Sequence, residues 1–171
     1  METLNALQSR RNVRTYQDKP IPNQDLVTIL ETGRRSPSSS NEQRWDFIVC
    51  TDRSQLNRLS GVWRGASFVA TSAATIALIA PMAEETRVRE SIHYDLGQAT
   101  MAMMMAAVDL GIGSGHTAVA DQVLAREVLG HTENMFCAWL LALGYPADRP
   151  LAPIQAPNRR DFEQVVHWNS W

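Results

Sequence analysis

Lysine is almost absent from this chain. Of its 16 basic residues only Lys19 is a lysine, and the other 15 are arginines. Against 18 acidic residues the formal net charge is −2, so no bulk field draws the chain to nucleic acid or to an anionic membrane. Cysteine is equally scarce. Cys50 and Cys137 lie in apolar runs without CxxC or metal-ligand spacing, which reads as buried thiols in a reducing cytoplasm. Long apolar runs are missing too. The most apolar stretch, Ala73 to Ala83, is interrupted by Thr75 and Pro81 and falls far short of the roughly 20 residues that span a bilayer. Met1 to Asn5 has neither the basic nor the apolar region of a secretory leader. No GxSxG occurs, which argues against a Ser-His-Asp hydrolase. His93, His116, His131 and His167 show no metal-ligand spacing, so no metal site is expected.

What remains is ordinary for a folded chain: 44% hydrophobic and 20% charged over 171 residues, which predicts a single domain spanning 1–171. A short helix is expected from Leu4 to Arg11, with Leu4 and Leu7 on one side. A second runs from Asn23, its expected N-cap, to Gly33. Asp46–Thr51 reads as a buried strand and Thr75–Ala80 as a second strand stopped by Pro81, with a short helix Arg53–Leu59 between them. A long helix follows from about Glu84 to Leu110. It is apolar nearly all round, so it must be buried on more than one face, and one face could meet a second subunit. Ser114–Val119 and Phe136–Leu143 complete the strands, separated by a helix that Asp121 caps. The pattern predicts an α+β domain with a small mixed or antiparallel sheet. Residues 151–171 carry Phe162, Val165, Val166, Trp168 and Trp171 but cannot form a core of their own. They must lie on the parent domain or on a neighbour.

Gly111-Ile112-Gly113-Ser114-Gly115 invites a nucleotide reading. A dinucleotide fingerprint needs a strand before it and a helix after it, and here the order is reversed, so a helix C-cap turn is the simpler expectation. The arginines sort by position. Arg34 and Arg35 end a helix, where cations suit the macrodipole. Arg10, Arg11 and Arg14 near one terminus and Arg159 and Arg160 near the other have no such explanation. Brought together, they would make a pocket for a phosphate monoester.

These pieces resemble the nitroreductase family over nearly the whole chain. Arg10-Arg11-Asn12-Val13-Arg14-Thr15-Tyr16 is similar to the family's opening Arg-Arg-Ser-x-Arg-x-Phe. Pro37-Ser38-Ser39-Ser40-Asn41-Glu42-Gln43-Arg44-Trp45-Asp46-Phe47 resembles its Pro-Ser-Ser-x-Asn-x-Gln-Pro-Trp-x-Phe. Asp95 to Ala107 followed by Leu110 to Ser114 resembles the central helix and glycine turn. Leu143-Gly144-Tyr145-Pro146 and Arg159 to His167 resemble the closing segment.

The resemblance implies a nitroreductase-like fold and a homodimer. The long central helix would lie at the interface, and a C-terminal arm, 151–171, would embrace the partner. It implies FMN as cofactor, NADH or NADPH as reductant and a small-molecule electron acceptor. Arg10, Arg11 and Asn12 would hold the phosphate and ribityl chain, and Arg14 would reach the pyrimidine edge of the ring. Pro37, Ser38, Ser39 and Asn41 belong to the flavin-binding loop, with Pro37, Ser38 and Ser39 packing over the ring from the partner subunit. Gly113, Ser114 and Gly115 would pass close to the flavin, and Arg159 or Arg160 would complete the phosphate site. No catalytic side chain is implied. Asn12 stands where the family has Ser, and Arg44 where it has Pro. The chain lacks the Gly-Glu-Gly-type segment that meets flavin N5 in some members, which leaves that donor unassigned. Flavin storage with little turnover, or a different flavin chemistry on the same fold, such as reductive dehalogenation or flavin breakdown, are the alternative readings.

Overall fold

A computed structural model of the chain describes residues 2–171. In chain order the elements are α1 (Thr3–Ser9), α2 (Asn23–Arg34), β1 (Asp46–Cys50), α3 (Arg53–Leu59), β2 (Ala74–Pro81), α4 (Thr86–Asp109), β3 (Gly113–Ala118), α5 (Gln122–Leu129) and β4 (Met135–Gly144). The strands form one antiparallel sheet in the order β1-β2-β4-β3. The mixed character that the sequence allowed is confined to one isolated parallel bridge, Asn12 to Ser114. No described helix is long and apolar enough to cross a membrane.

The sheet separates two cores. Ala77 and Ile79 of β2 face α3 and α5 with Leu56, Leu59 and Ala125. Ile76 and Leu78 face α2 and α4 with Ile29, Leu96 and Met103. Alternation with period two sends successive β2 side chains to opposite cores. Because both faces are covered, β2 reads as an unbroken apolar run rather than a half-polar one. β4 contains a bulge: Leu78 pairs with Trp139 but Ile79 pairs with Cys137, leaving Ala138 as the extra residue. Cys137 and Leu140 therefore share the α3/α5 core although three residues apart, while Trp139 turns toward α4.

Several local expectations change. Asn23 is the first residue of α2, not its cap; Pro22 precedes it, and no side chain caps the helix. Proline supplies a fixed φ and a backbone carbonyl that accepts from Asp25 and Leu26 N–H, but no side-chain oxygen for the remaining N–H groups. Asp121 does cap α5, accepting from the Leu124 N–H at 2.9 Å. In α1 the buried residues are Ala6 and Ser9, whereas Leu4 and Leu7 face outward. Of the glycine run, only Gly111, with φ +73°, is a turn residue. Gly113 and Gly115 lie inside β3.

Those strand glycines have a packing reason. Residues 12–16 run along the sheet edge as a strap, fixed by Val13 N–H to Ser114 O at 2.8 Å and Gln17 N–H to Tyr145 O at 2.8 Å. A Cβ on Gly113 would stand 2.6 Å from the Val13 side chain, one on Gly144 2.6 Å from the Tyr16 ring, and one on Gly115 against the Val13 carbonyl oxygen. The Tyr16 hydroxyl closes the strap by donating to Val13 O at 2.8 Å, and burial pushes its pKa well above the ordinary phenol value. Gly115→Ala should lower unfolding free energy by about 1–3 kcal/mol, because backbone must move to admit the methyl. Gly97→Ala, at an open mid-helix position, should instead raise it by about 0.5–1 kcal/mol. Denaturant unfolding of both variants checks the contrast, and equal effects would show that the strap tolerates the extra methyl.

Candidate functional site

A cavity of about 510 Å³ opens where the end of α1, α4 and the β3–β4 edge converge. The helix contributes His93, Gly97, Thr100, Met101 and Met104; Arg10, His116 and Trp139 complete the wall. The register explains the strand residues. His116 pairs with Leu141 and Ala118 with Trp139, so both rings reach the α4 face, where they meet edge to face at 5.9 Å. Ser114 lies two residues back on the same face, and its buried hydroxyl has no hydrogen-bond partner among the described residues. The cavity thus offers apolar walls, one guanidinium and two imidazoles, with the unmet Ser114 hydroxyl buried behind them in β3. That set suits a flat aromatic ligand carrying negative charge. Burial, then the charges of Arg10 and Arg14, hold the His116 pKa below the ordinary imidazole value.

The five terminal arginines do not share one environment. Arg10 lines the cavity, with only long contacts to Asn12 Oδ1 at 3.5 Å and Met104 Sδ at 3.9 Å. Arg11 is engaged: it grips Asp148 through two bonds of 2.9 and 2.8 Å and also donates to Arg149 O. Its hydrogen bond pulls the Asp148 pKa down to about 2. Asn12 is exposed beside its bridge to Ser114. Arg14 lies over the Phe68 ring at 5.5 Å. The root of the tail does meet the N-terminal segment, through Asp148 and through Ile154 N–H to Gln8 O at 3.0 Å. Arg159 and Arg160 lie further out, exposed, and donate to the tail's own carbonyls of Asn158 and Gln164. Neither lines the cavity that holds Arg10. Arg34 and Arg35 both bind Glu31.

The serine loop is built separately. Ser39 donates its N–H to Asp95 Oδ2 at 2.9 Å and its hydroxyl to Oδ1 at 3.1 Å. Asp95 is 3% exposed, so these bonds satisfy a carboxylate that would otherwise be costly to bury. Ser38 accepts from Gln43 N–H at 3.0 Å, while Pro37 is exposed. Ser40, Asn41 and Gln43 all have φ between 52° and 55°, a region that non-glycine residues occupy at a cost of about 1–3 kcal/mol each when the fold enforces it.

The loop and the cavity occupy different sides of one helix. At about 100° per residue, Asp95 lies opposite Met104 and well away from His93 and Gly97. Between the two sides runs a groove over Tyr94, Gly97, Gln98, Met101, Ala102 and Met105. Within one chain, therefore, Arg10, Asn12 and Ser114 are neighbours, whereas Pro37, Ser38, Ser39 and Asn41 stand apart from them. Gly113 and Gly115 serve the strap on one face while Ser114 is buried on the other, the face that carries His116.

Asp95 and Trp139 were not singled out from sequence. A lone carboxylate beside the apolar stripe of a helix is a usable signal for Asp95. The turning of Trp139 depends on a bulge that leaves no local signature. Asp95→Ala leaves the Ser39 donors unpaired and should lower stability by about 1–3 kcal/mol. It should also speed proteolytic cleavage within residues 37–43, whereas Glu31→Ala should leave that loop intact; cleavage-site mapping distinguishes them.

The sequence model of the Nitroreductase family matches residues 7–70. A protein of Archaeoglobus fulgidus, described as a candidate NADH dehydrogenase/NAD(P)H nitroreductase, is 33% identical over 151 residues, covering 86% of this chain and 87% of its own. An FMN reductase [NAD(P)H] of Bacillus subtilis is 24% identical, covering 94% of this chain and 74% of its own. An FMN-dependent nitroreductase of Clostridium difficile superposes with a TM-score of 0.85 at 23% identity over 98% of this chain and 99% of its own. The shared fold and the identity to the archaeal relative over most of both chains make this protein a member of the nitroreductase family.

Proposed function

We propose that the protein is an FMN-dependent NAD(P)H oxidoreductase, active as a homodimer, that reduces a small oxidised acceptor such as a nitroaromatic or a quinone by ping-pong hydride transfer. The observation that carries this reading is the division of the candidate flavin residues between opposite sides of α4. A second copy packed on the intervening face would bring the serine loop of one chain to the cavity of the other. Apolar surface suited to such packing is present: Leu4 and Leu7 of α1, Tyr94 of α4, and Phe162, Val165, Trp168 and Trp171 of the tail are all exposed.

The residues present fit FMN. The loosely held Arg10 guanidinium faces a mostly apolar cavity, and the unpartnered Ser114 hydroxyl lies buried two residues from His116 in the strand beside it. When bound, FMN supplies two-electron exchange, taking hydride from a nicotinamide and passing it to an acceptor. The chain binds and orients. Arg10, with Arg14 further along the strap, places fixed positive charge where negative charge develops on reduction, without any reorganisation at that moment. Met101, Met104 and Trp139 exclude water from one side of the cavity and so strengthen that electrostatic effect. Asp95 holds Ser39 and with it the loop offered to the partner. Arg11, saturated by Asp148, acts on the ligand through the position of the strap, with any direct phosphate contact requiring exchange of that carboxylate.

Purified protein supplied with FMN should be yellow and should bleach rapidly on stopped-flow mixing with NADH or NADPH. A protein that takes up no FMN would overturn the reading, and one that binds FMN but does not bleach would be a storage protein instead. Arg10→Ala should weaken FMN binding by about 10- to 100-fold, as loss of a charge-assisted contact does. Arg35→Ala, which disturbs only a surface pair with Glu31, should leave binding unchanged; equilibrium titration of flavin fluorescence measures both. Deletion of residues 151–171 should abolish dimerisation and FMN retention together, as read by light scattering and absorbance. A stable FMN-loaded monomer would contradict the shared site.

A further inference from the structure

His116 is the titratable residue that the sheet itself carries into the cavity, exposed but with its ring set by its neighbours. Its backbone is locked in β3 opposite Leu141, and its ring rests against the Trp139 edge at 5.9 Å. It shares the cavity wall with Arg10. The charged and titratable groups facing it are Arg10 at the end of α1, Arg14 on the strap and His93 on α4; β4 presents only the neutral Trp139 to this space. The surroundings are therefore cationic and partly dry, which keeps a resting imidazole neutral. Negative charge arriving in the same cavity reverses that balance and draws a proton onto the ring.

We propose that His116 is the proton carrier of the reaction: it takes a proton from solvent when reduction places negative charge beside it, and gives that proton to the oxygen of a quinone-type acceptor. This rests on the cavity being the FMN site. The balance is complete. The nicotinamide C–H bond breaks and delivers hydride in the first half-reaction. In the second, the acceptor gains two electrons and a hydrogen as hydride, the imidazolium N–H bond breaks, and a new acceptor O–H bond forms. The imidazole returns neutral, and the net reaction consumes one NAD(P)H, one solvent proton and one quinone to give NAD(P)⁺ and the dihydroxy product. Electrons and protons are thus carried by different groups, the electrons by the cofactor and the compensating proton by a side chain next to it.

Two readouts other than turnover test this on the FMN-loaded protein. The first is the midpoint potential against pH for wild type, His116→Gln and His131→Gln. Uptake of one extra proton per two electrons changes the reduction equilibrium tenfold per pH unit, ~30 mV for a two-electron couple. Wild type and His131→Gln, whose ring lies outside the cavity, should show this extra slope between the His116 midpoints of the oxidised and reduced holoprotein, a range that opens below the ordinary imidazole value, and His116→Gln should lack it. The second is NMR titration of the wild-type histidines, which needs no cavity variant to fold. The His116 midpoint should rise by about one unit or more between the oxidised and reduced holoprotein. Stopped-flow reoxidation adds the donation step: His116→Gln should slow reoxidation by a quinone tenfold or more, while reoxidation by ferricyanide, which requires no proton, stays within twofold. Coincident potential curves, a fixed His116 midpoint, or equal slowing with both oxidants would overturn the proposal with FMN binding intact. A protein that fails to bind FMN overturns both this assignment and the function it rests on.

Discussion

Three missing β-carbons set the shape of the candidate site. Val13 sits where a side chain on Gly113 would be, its carbonyl where one on Gly115 would be, and the Tyr16 ring where one on Gly144 would be. The strap can lie flat on the sheet edge only because those positions are bare, and once it does, everything attached to it is placed. Arg10 is delivered to the cavity, Arg14 to the Phe68 ring and Arg11 to Asp148. The cost is a sheet edge with little side-chain packing of its own. Tyr16 offsets this by filling the space and donating its hydroxyl back to the strap. The glycine run is therefore a packing device first. Its bearing on the cavity is indirect, since it lets Ser114 and His116 alternate onto the opposite face.

α4 carries the second constraint. One side packs in the core with Ile92, Leu96, Ala99 and Met103; a neighbouring side presents Asp95 to the serine loop, and the far side lines the cavity. A helix given three tasks cannot be amphipathic in the ordinary sense, which is why its sequence is apolar nearly all round. Close approach of α2 is part of the same arrangement: a Cβ on Gly33 would stand 2.8 Å from Met103. Small residues on one helix and flexible thioethers on the other let the pair interlock without strain.

Much of this was legible in the sequence. Every α-helix and strand is recovered with small boundary shifts, because the apolar periodicities are strong and Asp121 marks the start of α5. The two-core arrangement was partly legible in the unbroken apolar run of β2. What local pattern does not encode lies in tertiary detail. Pro22 rather than Asn23 precedes α2, and the Ala138 bulge aims Trp139, neither of which has a sequence signal that outweighs the alternatives. The outward face of α1 was missed for a related reason: Leu4 and Leu7 share one side as expected, but Ala6 and Ser9 are the residues small enough to approach the body of the domain. Apolar residues left outside in this way mark surface that a single copy does not cover.

The arginines show why composition had to yield to position. Bidentate geometry makes guanidinium the strongest carboxylate and phosphate ligand among side chains, but a guanidinium already paired is not available without exchanging that partner. Arg11, Arg34 and Arg35 are paired with Asp148 or Glu31, Arg44 with Glu42, and Arg53 is bound to the Ala70 and Ser72 carbonyls. Arg10 differs, since its contacts are a 3.5 Å approach to an amide oxygen and a 3.9 Å approach to sulfur. A cation that faces a mostly apolar cavity with contacts that weak is poised to gain from an anionic ligand, because the ligand replaces poor partners rather than good ones. Burial of the adjacent imidazole, reinforced by that charge and by Arg14, holds its pKa below the ordinary value. One loosely held charge therefore both leaves the cavity wall open to an anion and adds to the burial that disfavours the charged form of its neighbouring imidazole.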